Sequence, residues 1–296
     1  PSLYHVVWYR PVCPLGTKML PDGTACRVSA GAACYRQHCL PLRDWLPLML
    51  QMKLWRRWRE AFDLIVANSE ATKRQLVTYG IEPVEVMWNG VPTRPPRPPL
   101  SAPPTVAFAG RLVREKGVDI LLHAFAQVVT HLPAARLFIA GDGPERENAQ
   151  RLMSSLGLTA HVTMLGQVAR SEVERQCDAA WVQAVPSRWA EPFGLVAAEA
   201  MMRGTAVVVS NAGGLTELVQ DGQTGFRVPL GDAAALAAAL LKLLQDREWA
   251  ERMGKTGREV ALAHLSEAAY VDRFMQLYET LCRNEVNANN YWYKKS

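Results

Sequence analysis

The sequence predicts an α/β chain of two doubly wound parallel-sheet domains, the first of them incomplete. Three observations lead there. From residue 105 onward, short apolar runs of strand length alternate with segments whose apolar residues recur at helical spacing, which is the βα repeat of a parallel sheet. Seven prolines fall within 92–104, a composition that excludes helix and central strand and forces an extended boundary segment. Ahead of that boundary the pattern supplies about half the strands and helices such a domain needs. At 296 residues, 49% hydrophobic and 21% charged, the chain has an ordinary globular composition with room for two domains.

The elements follow in order. A strand is expected at 4–9, a long helix at 42–60 with Pro47 as a kink or as its true start, a strand at 64–67, a helix at 70–79 and a strand at 84–88. After the prolines come strands at 105–110, 136–140, 161–165, 179–183 and 205–209. Between them lie helices at 117–131, 144–156, 170–177 and 194–203. Turns at Gly213-Gly214 and Asp221-Gly222 precede a strand near 225–228, and Asp232 caps an Ala/Leu helix to about 245. Helices at 247–263 and 266–284 close the pattern, and the Asn-rich residues 285–296 lack an apolar period and read as disordered. The expected domains are therefore 1–96, a proline-rich linker 97–104, and 105–265. Pro1-Ser2-Leu3 has no initiator Met, in keeping with a chain that starts inside a domain.

Chemistry concentrates in Glu191-Pro192-Phe193-Gly194-Leu195 and the helix that runs on to Glu199. Pro192 suits the approach to a helix, and Gly194 allows close approach of the main chain. The first amides of that helix lack intrahelical partners and carry the positive end of its dipole, so an anion such as a diphosphate can rest on them. A carboxylate on either side can then accept hydrogen bonds from hydroxyls. A nucleotide-sugar has that layout of ribose, diphosphate and hexose. A capping role for Glu191 and a solvated one for Glu199 explain the segment equally well when it is taken alone.

A second constellation lies about 80 residues upstream. The strand 105–110 ends in Gly110, then Arg111 and Lys116 flank the approach to the next helix. Carboxyl ends of parallel strands are where open α/β sheets bind ligands. Arg111 offers a planar fork for phosphate oxygens and Lys116 a point charge. Cations at a helix amino terminus oppose its dipole, and a nearby anion would account for them. Arg114 and Glu115 read as surface charges.

Four segments now stand in order: Gly110-Arg111-Leu112 with Glu115-Lys116-Gly117; Ala140-Gly141-Asp142-Gly143-Pro144; Pro186-Ser187 with Glu191-Pro192-Phe193-Gly194 and Glu199-Ala200; and Gly213-Gly214 with Glu217. Together they resemble glycosyltransferase family 4, whose members are retaining enzymes of the two-domain, Rossmann-like GT-B fold. Asn68-Ser69, Asn89-Gly90-Val91 and Cys13-Pro14 resemble it too, so the likeness runs from about 9 to 283. The resemblance implies that Arg111 and Lys116 neutralise the donor diphosphate. It implies that Glu199 holds the ribose and Glu191 the hexose. Phe193, Gly194 and Leu195 would line sugar and phosphate with their main chain, Gly141 and Gly143 would form a tight loop beside the nucleotide, and Gly110 at the strand end would also contact substrate. Transfer would go to a hydroxyl of a glycan, a lipid-linked saccharide or a small molecule, as in building cell-envelope polysaccharide. It would need no metal or other cofactor, and no Asp-x-Asp pair is present to hold one. The first domain would be the acceptor side, and helix 266–284 would cross back onto it. Members often carry His-Asp ahead of the Cys-Pro step. Here Val7 and Trp8 occupy those places and His5 is two positions out of register, so no catalytic role passes to His5.

The net charge of +5 (33 basic, 28 acidic) suits an anionic substrate or membrane surface and is too diffuse for nucleic acid. No apolar run is long enough to span a bilayer and no leader opens the sequence, which makes the expected location cytoplasmic. The helix at 42–60 interleaves tryptophan with arginine. That pattern suits packing on a core with a basic outer face, or peripheral contact with the inner face of a membrane. Cys13, Cys26, Cys34 and Cys39 cluster without the Cys-x2-Cys knuckle of a zinc site, and half-buried free thiols are the simpler expectation. Two other readings remain open. One is a nicotinamide-dependent oxidoreductase, which has only Gly141-x-Gly143 behind it and lacks the third glycine. The other is a donor-binding fragment without turnover.

Overall fold

The computed structural model describes residues 1–293, with side chains through Arg283. Two compact units emerge: Pro1–Gly90 joined by the chain from His264, and Val91–Ala263.

The first unit opens with β1 (Leu3–Val6), a short α1 (Ala32–Arg36) and α2 (Leu42–Trp58), which is followed by a 3-10 turn at Arg59–Ala61. It continues through β2 (Leu64–Ala67), α3 (Glu70–Thr78) and β3 (Val84–Val86). The three strands pair in parallel in the order β1-β2-β3, with Leu3 opposite Leu64 and Ile65 opposite Val84. β1 is shorter than the 4–9 expected. After Val6 the chain turns, and the Tyr9 carbonyl accepts from the amides of Val12 and Cys13, so residues 7–9 leave the ladder. Pro47 lies inside α2 and does not start it; the helix enters from Pro41. Buried Asn68 ties strand to helix: its Nδ2 donates to the Val7 carbonyl, and its Oδ1 accepts from Thr72. Ser69 caps α3 by accepting from the Thr72 amide at 2.9 Å.

The second unit is a six-stranded parallel sheet built by regular βα alternation. Its elements are β4 (Thr105–Ala109), α4 (Val118–His131), β5 (Arg136–Ala140), α5 (Arg146–Ser155), β6 (Val162–Gly166) and α6 (Arg170–Ala179). Then come β7 (Val182–Val185), α7 (Leu195–Arg203), β8 (Ala206–Ser210), α8 (Leu215–Leu218), β9 (Gly225–Val228), α9 (Ala233–Gln245) and α10 (Arg247–His264). The strand order is β6-β5-β4-β7-β8-β9, so the winding reverses between β4 and β7. Strands buried on both faces read as unbroken apolar runs. That is why β7 was expected at 179–183 when Ala179 in fact ends α6: the run 179–185 has no period to mark where helix stops. The core joins Phe125 and Leu121 of α4 to Leu137 and Ile139 of β5 and to Leu240 of α9, all fully buried.

The proline-rich stretch is laid along this unit by residues that are not proline. The Arg97 amide donates to the Arg203 carbonyl at 2.8 Å, the Leu100 amide donates to Glu251, and the Leu100 side chain enters the core. Contacts therefore divide at Gly90/Val91, ahead of the boundary read from composition.

The last helix, α11 (Glu267–Tyr293), belongs with the first unit. Its Tyr270, Phe274 and Leu277 pack on Leu64, Val66 and Met87. It runs beyond the expected end at 284, because extending an existing helix costs far less than starting one. The end of the expected disordered tail, 294–296, lies outside the described residues.

Candidate functional site

The loops after β4 and β7 meet where the sheet reverses its winding, the crevice in which open parallel sheets hold ligands. From the first loop, Lys116 Nζ donates to Glu191 Oε1 at 2.6 Å; from the second, Ser187 Oγ donates to the same oxygen at 2.6 Å. Oε2 takes no partner among the described residues. Glu191 is only 5% exposed and Ser187 is fully buried, so this carboxylate is held by two specific donors and not by water. Lys116 also stands over the Trp189 ring, 5.8 Å from its centroid. The main chains lock as well, with the Arg188 amide on the Glu115 carbonyl at 2.8 Å and the Arg188 guanidinium paired with Asp119. Lys116 and Glu191, expected to face different parts of one ligand, are thus direct partners.

Gly194 sets the mouth of α7. It sits at φ +102°, a conformation that L side chains rarely adopt, and a Cβ there would lie 2.3 Å from Leu215 Cδ2. The amides of Ala197 and Ala198 bond back to its carbonyl, while those of Leu195 and Val196 stand ahead of the first hydrogen-bonded turn. Phe193 is buried beneath the mouth and Leu195 is exposed at its rim. The Gly213-Gly214 turn closes behind: the Gly214 amide donates to the Glu191 carbonyl at 2.7 Å, fixing the main chain that carries the carboxylate. Farther along α7, Glu199 accepts from Arg170 Nη2 at 3.3 Å. Arg170 also donates to Glu174, which accepts in turn from Arg94 at 3.1 Å.

Arg111 follows β4 directly and is well exposed, 4.0 Å from Glu115. It lines a groove of about 410 Å³ at the carboxyl ends of β4, β5 and β6, together with Gly110, Gly141, Asp142 and Gln167. The turns cross closely here: the Gly110 amide donates to the Ala140 carbonyl and the Leu112 amide to that of Asp142. A Cβ on Gly141 would lie 1.8 Å from the Gly110 carbonyl oxygen, so no other residue fits. Gly143 donates its amide to Asp142 Oδ1 at 2.7 Å, and this bond with the Arg146 guanidinium holds the Asp142 carboxyl below its usual range.

The structure thus pairs Lys116 with Glu191, sets Gly194 and Leu195 at the adjoining helix mouth, and gathers Arg111, Gly110 and Gly141 on the groove. Glu199 joins none of these directly and has Arg170 as its partner. Sequence reasoning gave no role to Ser187 or Arg170. Ser187 had been noted beside Pro186, but a serine in a loop carries no sign of what it bonds. Arg170 looks like any charge at a helix start.

The other candidates fall in the first unit. His5 Nδ1 lies 3.2 Å from Tyr270 Oη and its ring meets Phe274 edge-on, and burial lowers its pKa. Cys13, Cys26, Cys34 and Cys39 are free thiols, and among the described residues no group of three or more His, Cys, Asp or Glu stands where it could hold a metal ion. No helix among them is long and apolar enough to cross a membrane.

Two family models match the chain: "Glycosyl transferases group 1" over residues 94–260 and "Glycosyltransferase Family 4" over 33–95. Among similar proteins, a phosphatidyl-myo-inositol mannosyltransferase of Mycobacterium leprae is 32% identical over 87% of this chain and 69% of its own length. A D-inositol 3-phosphate glycosyltransferase of a Nocardioides species is 36% identical over 68% of this chain and half of its own. Among solved structures, sucrose-phosphate synthase of Thermosynechococcus elongatus superposes with a TM-score of 0.70 at 30% identity, covering 86% of this chain and 67% of that one.

Proposed function

The chain belongs to the group 1 glycosyl transferases of family 4, and from that premise we propose that it moves a sugar from a nucleotide-diphosphate donor to an acceptor hydroxyl with the anomeric configuration kept. The observation that carries this reading is the Lys116–Glu191 pair beside the mouth of α7, at the point where the sheet reverses. Arg111, Lys116 and the open amides of α7 supply positive potential where a leaving diphosphate gains charge. Glu191, held through Oε1 by Lys116 and Ser187, turns its second oxygen to hexose hydroxyls near the reacting carbon. Glu199 takes the ribose hydroxyls, and the main chain of Phe193, Gly194 and Leu195 lines the sugar and phosphate. The turns at Gly110, Gly141 and Gly143 frame the nucleotide.

In the proposed step the acceptor oxygen forms its bond to the anomeric carbon on the face the diphosphate leaves. The carbon–oxygen bond to the diphosphate breaks, and the acceptor proton passes to the departing phosphate oxygen. No metal or other cofactor is required, because the cations and helix amides serve the phosphate. The acceptor is a hydroxyl of a saccharide or of a lipid-linked saccharide.

Thermal unfolding against UDP-, GDP- and ADP-sugars tests the proposal. One donor class is expected to raise the melting temperature, and Lys116→Gln is expected to reduce that shift. A panel that leaves the protein unmoved, with NADH raising it, would overturn the reading in favour of an oxidoreductase.

A further inference from the structure

The carboxylate of Glu199 ends a chain of ion pairs that begins outside the donor site. Arg170, Glu174 and Asp178 recur every four residues on α6 and share one flank of it, and Glu199 and Arg203 do the same on α7. The two flanks meet charge to charge. Arg170 Nη2 donates to Glu199 Oε1 at 3.3 Å, and Arg203 Nε lies 3.5 Å from Asp178 Oδ1. Between them Glu174 Oε1 accepts from Arg170 Nε at 3.0 Å and from Arg94 Nη2 at 3.1 Å. The Arg170 hydrogen bond, aided by the charges of Arg94 and Arg203, holds the Glu174 carboxyl below its usual range.

A glutamate whose side chain is 35% exposed has several rotamers open to it, and holding it in one costs side-chain entropy. Arg170 alone is a poor clamp, because it is 62% exposed and an exposed ion pair contributes little. Glu174 improves it: one guanidinium spans both acids, with its Nε fixed on Glu174 and its Nη2 on Glu199. Glu174 is pinned in turn by Arg94, whose main chain precedes Pro95-Pro96 and is thereby restricted to the extended region. Nearby, Arg97 donates its amide to the Arg203 carbonyl and its Nε to the Gly204 carbonyl at 3.0 Å. The Arg94–Glu174 and Arg203–Asp178 pairs, with the Arg97 bonds, already join this segment to α6 and α7, so the Arg170–Glu199 bond is not needed to hold them together. That bond ends on an acid whose Oε1 is occupied and whose Oε2 takes no partner among the described residues.

We propose that Arg170 and Arg94 are positioning residues that aim the open oxygen of Glu199 at the ribose and so set how strongly the site prefers a ribonucleotide donor to a deoxyribonucleotide one. Arg170 holds Glu199 directly, and Arg94 acts through Glu174. The inference rests on the proposed function, in which Glu199 takes the ribose hydroxyls. It goes beyond that reading by naming what holds this acid and which feature of the donor it selects.

Calorimetry with a ribonucleoside diphosphate and its 2′-deoxy and 3′-deoxy forms tests it, the base being the one that the thermal panel selects. The parent is expected to bind the ribonucleotide about 10- to 100-fold more tightly than the weaker deoxy form, the worth of one hydrogen bond to a carboxylate. Glu199→Ala is expected to shrink that preference to about twofold or less. Arg170→Ala is expected to cut it by about two- to fivefold and Arg94→Ala by about twofold, by weakening the ribonucleotide while the deoxy form binds as before. Arg94→Lys, which can still donate to Glu174, is expected to recover the parent's preference. Melting temperature is read on every variant, and where Arg94→Ala melts early the exposed Arg170→Ala decides alone. A merely bracing role would weaken both nucleotides alike. That result, or an unchanged preference in the arginine variants, overturns the inference while the effect of Glu199→Ala leaves the ribose reading standing. A preference that survives Glu199→Ala, or a parent that binds both forms equally, removes the ribose role of Glu199 and the inference with it.

Discussion

Replacing Glu191 by Gln separates the structural role of this carboxylate from its proposed chemical one. The amide oxygen can still accept from Lys116 and Ser187, so the shape of the pocket survives, but the ammonium loses its counter-charge. Removing one partner of a fully buried pair costs about 3–5 kcal/mol. Here Lys116 is 22% exposed and water can reach it, so about 1–2 kcal/mol is the expected loss. For a domain of this size that lowers the melting temperature by about 2–8 °C. Donor binding rests mainly on diphosphate and ribose contacts and should change by less than about tenfold, roughly 1.4 kcal/mol. Turnover is another matter. A charged acceptor placed on the hexose beside the reacting carbon is expected to matter most in the transition state, and its loss should lower the rate roughly 100- to 1000-fold, the range seen for single preorganised groups. The assay is release of nucleoside diphosphate with donor and acceptor saturating, alongside calorimetric donor affinity and a melting curve. Turnover within about threefold of the parent, with the melting shift present, would refute the chemical role and leave Glu191 as a structural ion-pair partner.

Gly194→Ala forces a side chain into a left-handed position and against Leu215. It should destabilise the second unit by at least about 1–2 kcal/mol and weaken donor binding with it, and an unchanged melting curve would contradict the account of the α7 mouth. Arg170→Ala removes an exposed pair with Glu199, so stability should move by less than about 1 kcal/mol. If Arg170 orients Glu199 for the ribose, its effect on donor affinity should shrink in a Glu199→Gln background; additive effects would exclude that coupling. Burial holds the His5 pKa below its usual 6.5, so the unfolded chain takes up the proton more readily than the folded one. The resulting stability is complete above about pH 6.5 and is lost as pH falls through the lowered folded value. Melting curves of the first unit should decline over that acid range, and His5→Phe should flatten the decline.

Much of the fold was legible because a parallel sheet covered on both faces writes itself as alternating apolar runs and amphipathic helices. β4, α4, β5 and α9 lie close to where their periods placed them. Boundaries slipped where the period is silent, at the join of α6 and β7 and at the end of β1, where turn hydrogen bonds outcompete the ladder. The proline-rich stretch follows the same logic. Proline content announces an extended chain but not what it leans on, and Arg97 and Leu100 decide that through partners in α7 and α10.

The amino-acid sequence by itself determined the order of the elements, the helix mouth at Gly194 and the supply of cations and carboxylates around it, since these follow from local propensity and from residues within a few positions of each other. Which groups meet was decided only by the tertiary structure. Lys116 reaches Glu191 because the winding reverses between β4 and β7 and makes neighbours of loops 75 residues apart. Ser187 completes that grip, and Arg170 claims Glu199. The physical reason is range: periodicity and capping act over one or two turns, whereas pairing of charges depends on a strand order that no local signal specifies.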